Sequence, residues 1–568
     1  MQSEDLPNNR PNVILILNDD MGFSDLGCYG GEMDTPNLNS LAEHGLRFIN
    51  FYNTARCCPS RASLLTGLHP HQAGVGYMVG DWGPEEYSGS INHHCVTIAE
   101  VLKLNGYKTY LSGKWHITND KWHVNDAWPK QRGFDKCYCF LGGASSYFWP
   151  KTMVRGNESL EEEIAQDEDY YITDAISDNA ANYIKTHANN NENPFFLYVA
   201  YTAPHWPLHA KEKDIKKYKG RFDKGWDTLR RERLKRMIEL GILEKNWEIT
   251  PRDPREPSWD EASDNEWEAL RMEVYAAQID AMDQGIGRII QALKETNQFN
   301  NTLIMFLADN GGCSEEVRLV WKEGKIRGGS ARRNTRNGES VKFGNKPSIT
   351  PGPENSYVSY GTAWANLSNT PFRMYKKWTH EGGIATPFIV HYPDYIQKKG
   401  EFRRQNAQLT DVMATIVDIT GAKYPETYQG HETRPMEGTS LREVFEDKSN
   451  NKGMLFFEHM GNATVRDGKW KLVRDFPFEW ELYDMDEDRT ELHNLIDIYR
   501  ERGKKMIEAY REWADRIGVI ERDKLMLIRA RKKPTRFRRW LVRFGSRFSN
   551  GIAQWQKIIK KRKRNDNR

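Results

Sequence analysis

Short apolar runs recur along the chain, and polar clusters follow them directly. The runs are Val13–Leu17, Tyr107–Leu111, Pro194–Tyr201 and Thr302–Leu307. Near-continuous apolar strands of this kind are typical of a buried, mostly parallel sheet. Long segments with helical spacing lie between or after them, including Glu266–Leu293 and Leu409–Ile419. The pattern predicts an α/β fold, in which helices sandwich a large mixed, mostly parallel sheet. Ligands of such sheets bind beyond the carboxyl ends of the strands, so we expect the polar clusters to form one site.

The pattern changes after about residue 440, where short strand-like runs are separated by turn residues. These runs are Met454–Phe457, Trp470–Val473 and Trp480–Tyr483, and a helical segment, Tyr499–Ile517, follows them. This arrangement predicts a smaller antiparallel α+β subdomain. We therefore expect a catalytic domain over residues 10–440, the subdomain over 441–525 and a basic amphipathic tail over 526–568. Residues 208–262 and 313–370 are polar and charged, and we interpret them as surface insertions that shape the mouth of the site.

Charge is distributed unevenly over the 568 residues. Residues 529–568 hold 16 Lys and Arg against one acidic residue, which leaves 66 basic and 78 acidic residues in the body. A body with net charge −12 does not favour nucleic acid binding, and the tail carries +15. No run of 18 uncharged apolar residues is present, so no membrane-spanning helix is predicted.

The tail has the pattern of a basic amphipathic helix. Phe537, Trp540, Leu541, Phe544 and Phe548 fall at helical spacing among arginines. Such a helix would dock on an anionic membrane or on a sulfated polymer. Its alternative is to pack its apolar face against the body, with its charges solvated.

Seven cysteines in a chain of this size do not form a disulfide scaffold.

The start, Met1-Gln2-Ser3-Glu4-Asp5, lacks the basic and apolar segments of a secretory signal. The chain is therefore either cytoplasmic or one from which a signal was removed.

The segment Cys57-Cys58-Pro59-Ser60-Arg61-Ala62-Ser63-Leu64-Leu65-Thr66-Gly67 carries the most information. It resembles the Cys-x-Pro-Ser-Arg-x-x-x-Leu-Thr-Gly signature of type I sulfatases, formylglycine-dependent members of the alkaline phosphatase superfamily. The resemblance implies that a maturation enzyme oxidises Cys57 to formylglycine (3-oxoalanine), whose hydrated aldehyde is the nucleophile. A geminal diol suits this chemistry because its second hydroxyl can collapse to the aldehyde and expel sulfate. Arg61, one helical turn on, would stabilise the developing negative charge.

Two acidic turns follow apolar strands about 290 residues apart, Asp19-Asp20 and Asp309-Asn310. Their oxygen ligands suit a hard cation such as Ca²⁺ and suit Zn²⁺ poorly. Each pair alone would more commonly cap a helix. The resemblance places one Ca²⁺ on Asp19, Asp20, Asp309 and Asn310, with the modified Cys57 as a further ligand.

The resemblance also covers residues outside the signature. Gly113-Lys114-Trp115-His116 matches a second family block, in which His116 would deprotonate the diol and Lys114 would offset charge around the sulfate. His205 would contact the sulfate and protonate the leaving oxygen. Lys376 is chosen over Lys377 because it lies five residues before Glu381. His209 matches nothing and is expected at the surface.

The resemblance therefore implies a formylglycine-dependent and Ca²⁺-dependent sulfatase that hydrolyses sulfate esters. Eighteen tryptophans and the insertions favour a sulfated polysaccharide of marine algal type, or its oligosaccharides, over small aryl sulfates. Such substrates lie outside the cytoplasm, which favours a periplasmic or secreted protein. The alternatives are a formylglycine-dependent phosphodiesterase or phosphonate monoester hydrolase, and a non-catalytic binder of sulfated polymers.

Overall fold

A large twisted sheet forms the centre of the computed structural model, which describes residues 10–190, 193–245, 247–317, 321–322, 325–326, 331–448 and 452–532. In chain order its strands are β1 (Asn12–Asn18), β2 (Leu46–Phe48), β3 (Lys108–Lys114), β4 (Lys136–Phe140), β5 (Met153–Arg155), β6 (Glu158–Ser159), β7 (Phe195–Ala200), β8 (Thr302–Ala308), β9 (Phe388–His391) and β10 (Glu401–Arg403). Their spatial order is β10-β2-β9-β8-β1-β7-β3-β4-β5-β6.

The five strands β8, β1, β7, β3 and β4 are parallel to one another and form the middle of the sheet. The β9 strand joins β8 and β2 antiparallel, and β5 and β6 extend the other edge antiparallel. Every residue of β1 is buried, as expected for a strand covered on both faces. The predicted mixed, mostly parallel sheet is confirmed.

Helices cover both faces of the sheet. They are α1 (Pro36–Glu43), α2 (Cys57–Thr66), α3 (Ile98–Leu104), α4 (Glu161–Gln166), α5 (Ile172–Asn190), α6 (Glu212–Ile215), α7 (Gly225–Glu239), α8 (Asn265–Glu295), α9 (Gly361–Ser368), α10 (Glu381–Ile384), α11 (Leu409–Thr420) and α12 (Arg442–Phe445). Ile14 and Ile16 pack in the core on the face that α1, α5 and α8 cover. Val13, Leu15 and Leu17 point to the other face, where α2, α3 and α11 complete a second core.

Short elements connect these layers. The 3-10 helices span Gly27–Tyr29, Glu85–Tyr87, Pro129–Arg132, Lys216–Tyr218 and Trp259–Glu261. Two-residue strands pair Phe51–Tyr52 with Ala407–Gln408, Trp321–Lys322 with Lys325–Ile326, Lys342–Phe343 with Ser356–Tyr357, and Thr427–Tyr428 with His431–Glu432. No helix within the described ranges is long and apolar enough to cross a membrane.

A four-stranded antiparallel sheet follows, as predicted. Its strands are β11 (Leu455–His459), β12 (Asn462–Asp467), β13 (Trp470–Arg474) and β14 (Trp480–Asp484), and α13 (Arg500–Ile517) packs on it. The prediction did not include β12, which holds only two apolar residues, Ala463 and Val465. The domain boundaries at 440 and 525 stay predictions, although α14 (Arg522–Lys532) runs across the second of them. Leu525 of α14 packs against Trp82 and Tyr87. The predicted aromatic face of the tail, residues 537–548, lies outside the described residues.

The two charged insertions, residues 208–262 and 313–370, also contribute buried residues. This corrects the expectation that they lie entirely at the surface. Helix α7 of the first buries Arg233, whose guanidinium pairs with Asp25 and Glu32 at 2.8 Å each. Helix α9 of the second is buried throughout. Charge density suggested exposure, but these buried charges are neutralised by partners far away in the sequence.

Candidate active site

Two acidic turns meet at the carboxyl end of the central strands. Asp19 and Asp20 follow β1, and Asp309 and Asn310 follow β8. Because the two strands pair in parallel with Asn18 beside Ala308, the turns lie next to each other. The Asp20 N–H donates to Asp309 Oδ1 at 3.3 Å, and Asn310 Nδ2 donates to Asp20 Oδ1 at 2.7 Å. The four side chains are at most 1% exposed.

Cys57 is the first residue of α2 and lies against these turns. It is 2% exposed. The sulfur atoms of Cys57 and Cys58 and a ring nitrogen of His116 lie within 4.8 Å of one another. A hydrogen bond from the Cys58 thiol, together with His116, Lys376 and Lys114, lowers the pKa of Cys57 well below its ordinary value. A helix N-terminus also favours negative charge, so α2 presents Cys57 in a setting suited to an anionic substrate.

Arg61 lies one turn further along α2 and is fully buried. Its guanidinium donates two hydrogen bonds to Asp309 Oδ2, at 2.9 and 3.2 Å, and one to the Lys114 carbonyl at 3.0 Å. It also lies 3.8 Å from Asp19 Oδ1. Arg61 therefore ties α2 to both acidic turns.

Lys114 and His116 come from β3 and the loop after it. The strand runs to Lys114, three residues past its predicted end, and the buried Lys114 ammonium pairs with Asp19. Gly113 has φ 124°, and a Cβ there would lie 1.9 Å from the Ala200 carbonyl oxygen, so only glycine allows β3 and β7 to pair here. His116 has φ 57°, a conformation uncommon outside glycine and typical of functional sites. Burial lowers the pKa of His116 to about 4 and keeps its ring neutral at pH 7.

His205 and Lys376 complete the set from opposite sides of Asp20. The His205 Nε2 lies 3.3 Å from Asp20 Oδ2, and the Lys376 Nζ lies 2.6 Å from Asp20 Oδ1. Lys376 is 2% exposed, and despite its burial Asp20 raises its pKa well above the ordinary value. The neighbouring Lys377 points elsewhere, to Glu315. The structure thus brings all the predicted site residues together.

The acidic turns have the features of a cation site. Asp19 Oδ1, Asp20 Oδ2 and Asn310 Oδ1 are buried and accept no hydrogen bond. Unpartnered buried oxygens are costly unless an ion or water satisfies them. Burial and the Asp19 carboxylate raise the pKa of Asp309 well above its ordinary value, an effect that a bound cation would oppose. An all-oxygen donor set fits Ca²⁺.

A cavity of about 1030 Å³ opens above Cys57. Cys57, His116, His205 and Lys376 line its floor. Its walls include both insertions and several aromatic side chains, namely Trp122, Trp206, Phe343, Tyr357 and Trp378. The insertions therefore shape the mouth of the site, as predicted.

Comparison with known proteins identifies the fold and the family. The Sulfatase family profile matches residues 11–422, and the profile described as N-sulphoglucosamine sulphohydrolase, C-terminal, matches residues 372–512. An uncharacterized sulfatase of Schizosaccharomyces pombe is 30% identical over 544 residues, which cover 90% of this chain and 94% of that protein. The chain belongs to the sulfatase family. It is a sulfuric ester hydrolase with an alkaline phosphatase-like fold.

Other relatives of this sulfatase include an arylsulfatase of Klebsiella aerogenes, which is 34% identical over 465 residues. The match covers 77% of this chain and 92% of that enzyme. Among solved structures, Ps i-CgsB in complex with k-i-k-neocarrahexaose is 25% identical, with a TM-score of 0.63. That match covers 89% of this chain and 93% of the other.

Sequence reasoning missed a buried charge network under the Lys376 loop of this sulfatase. Lys471 of β13 donates to Glu381 at 2.7 Å and pairs with Glu491 at 2.8 Å. Arg489 donates to the other oxygen of Glu381 at 2.8 Å. All four side chains are at most 2% exposed. The network fixes α10, which begins five residues after Lys376, to the small sheet. A lysine at a buried strand position was the only sequence signal.

The prediction for His209 was wrong. This histidine is fully buried, accepts from the Tyr147 N–H at 3.2 Å and contacts the Ser356 carbonyl at 2.6 Å. Burial lowers its pKa to about 4. It holds the wall of the cavity through two backbone groups, a role that leaves no motif in the sequence.

Proposed function

We propose that this sulfatase hydrolyses sulfate esters of carbohydrates, using a formylglycine formed from Cys57 by a maturation enzyme and one bound Ca²⁺. One observation carries the proposal. Cys57 lies at the floor of a large cavity, at a helix N-terminus, beside a neutral histidine and next to three buried oxygens that accept no hydrogen bond. This is the setting that a sulfate-attacking hydroxyl requires.

The residues around Cys57 have two kinds of role: the histidines transfer protons, and the cations stabilise negative charge. A formylglycine at this position supplies a hydrated aldehyde, whose second hydroxyl makes the release of sulfate possible without another nucleophile. A ring nitrogen of His116 lies within 4.8 Å of the Cys57 sulfur, and the ring is neutral, so it is able to accept the proton of that hydroxyl. His205 faces the same cavity from the other side of Asp20. Burial lowers its pKa, whereas Asp20 and Asp19 favour the protonated ring, which would give a proton to the leaving oxygen.

Three cations surround the place of the sulfate group. Lys376 lines the cavity floor. Lys114 pairs with Asp19 and Arg61 pairs with Asp309, so these two cations fix the acidic turns. Asp19, Asp20, Asp309 and Asn310 would hold the Ca²⁺, which when bound would draw electron density from a sulfate oxygen. Fixed charges in a buried site are already oriented, so they stabilise developing negative charge at little cost of reorganisation.

The proposed substrate is a sulfated polysaccharide of marine algal type, or its oligosaccharides. The cavity volume of about 1030 Å³ exceeds what a single small ester needs. Aromatic side chains on its walls offer flat apolar faces for sugar rings. The similarity to Ps i-CgsB, solved with k-i-k-neocarrahexaose, supports the same class. Substrates of this kind are extracellular, so the proposal includes a periplasmic or secreted location.

Sulfate release measured by ion chromatography tests this function. The protein would be produced with a formylglycine-generating enzyme and incubated with sulfated algal polysaccharides, their oligosaccharides, an aryl sulfate and an aryl phosphodiester. We expect release from at least one carbohydrate and none from Cys57→Ala. Hydrolysis confined to the phosphodiester, or retained by Cys57→Ala, would contradict the proposal.

A further inference from the structure

A carboxylate bridges two cations on the cavity wall, immediately beside the proposed sulfate position. Glu315 Oε1 lies 3.0 Å from Arg56 and 2.6 Å from the Lys377 ammonium. All three side chains line the cavity and are partly exposed, at 22% for Glu315, 14% for Arg56 and 33% for Lys377. The triad is therefore within reach of a substrate.

Both cations are sequence neighbours of residues that contact the sulfate in the proposed function. Arg56 precedes Cys57 and is the N-cap residue of α2, and Lys377 follows Lys376. The Lys377 backbone has φ 90°, and its N–H donates to the Ala55 carbonyl at 2.8 Å. This conformation turns the Lys377 side chain away from Asp20 and towards Glu315. With a sulfate seated between Cys57 and Lys376, Arg56 and Lys377 are the cations best placed for a second anionic group on the same substrate.

Glu315 already forms ion pairs with both of these cations. Burial raises its pKa, but Arg56, Lys376 and Lys377 outweigh burial and hold it below the ordinary range, so Glu315 is ionised at neutral pH. Further along the same wall, Glu316 and Glu256 add negative charge. Arg255, another cation of the cavity wall, pairs with Asp253. A second sulfate or carboxylate would have to approach Glu315 in order to reach either Arg56 or Lys377.

We propose that Glu315 is a specificity-determining residue. Its ion pairs with Arg56 and Lys377 keep these cations from binding a second anionic group, so the cavity selects esters without such a group beside the scissile sulfate. This inference rests on the proposed function and narrows its substrate class to carbohydrates with isolated sulfate groups. A carboxylate a few ångströms from a second anion opposes its binding, and removing that charge also frees two cations to attract it.

The test compares one disaccharide skeleton in two forms, monosulfated and disulfated on neighbouring positions. For Glu315→Gln, which keeps the shape of the side chain, we expect the ratio of kcat/KM for the disulfated over the monosulfated form to rise about tenfold. The ratio is taken within each protein, so a loss of folded or matured enzyme cancels. Adding Lys377→Met to Glu315→Gln should reverse most of the gain.

Glu316→Gln is the matched control, because it removes the same charge from the same wall and leaves Arg56 and Lys377 paired. We expect its ratio to stay within about threefold of the wild type. An unchanged ratio in Glu315→Gln, or equal rises in both variants, would overturn the proposal. Release of sulfate from the monosulfated form by wild-type enzyme tests the proposed function separately.

Discussion

Replacing Lys471 by methionine should destabilise the protein strongly, because it removes the shared cation of a buried network. The Lys471 ammonium pairs with Glu381 and Glu491 at 2.7 and 2.8 Å, and none of the three side chains is exposed. Methionine fills a similar volume but leaves Glu491 without this partner, and it leaves Glu381 with Arg489 and the Tyr52 hydroxyl. Breaking a buried ion pair by removing one partner costs about 3–5 kcal/mol. We expect a loss of this size in the free energy of unfolding.

Differential scanning calorimetry checks this prediction, and Lys469→Met is its matched control. Lys469 lies two residues away and pairs with Asp484 at 2.5 Å, but its side chain is 46% exposed. The same substitution there should leave the melting temperature unchanged, since exposed ion pairs add little. Lys471→Met should lower it by several degrees. Adding Glu491→Gln should recover part of the loss. Equal melting temperatures for Lys471→Met and Lys469→Met would refute the view that this network fixes the Lys376 loop.

Three further predictions concern the site and its surroundings. Lys376→Met should lower kcat/KM on an aryl sulfate by about 10²–10³, the usual effect of removing a preorganised donor; a change below threefold would place Lys376 away from the sulfate. Ca²⁺ should raise the melting temperature of the EDTA-treated wild type and not that of Asp20→Asn; equal shifts would locate the ion elsewhere. Burial lowers the pKa of His209 to about 4, below its value of about 6.5 in the unfolded chain. Its neutral ring therefore stabilises the fold fully above pH 6.5, and this contribution to the free energy of unfolding, about 3 kcal/mol at most, is lost as the pH falls to 4. The drop in melting temperature from pH 7 to 4.5 should therefore shrink in His209→Asn and persist in His431→Asn, whose histidine is exposed; an unchanged drop in His209→Asn would contradict this assignment.

The strand pattern predicted that the two acidic turns lie together, because their position depends on where the strands end. Val13–Leu17 and Thr302–Leu307 are parallel neighbours, so the residues that follow them had to meet at one edge of the sheet. The distance between Asp20 and Lys376 could not be derived from spacing. Lys376 was assigned to the site by the resemblance around Gly382-Gly383, and only the structure shows that its ammonium lies 2.6 Å from Asp20.

Interactions between distant charges escaped the sequence reasoning. Arg233 with Asp25, Lys471 with Glu381, and Glu315 with Arg56 each join residues separated by 90 to more than 250 positions. In one sequence such residues look like solvated surface charges. Only packing shows that burial removes them from water and that an opposite charge compensates the cost.

The extent of Cys57 conversion and the rate of sulfate release, measured on the same preparations, test the central claim most directly. Mass spectrometry of the peptide that contains Cys57 gives the converted fraction, and co-expression with graded amounts of a formylglycine-generating enzyme varies it. We predict that kcat per chain, measured on the carbohydrate sulfate that is hydrolysed fastest, rises in proportion to this fraction. Unconverted protein should release no sulfate. Equal rates in converted and unconverted protein would contradict the account.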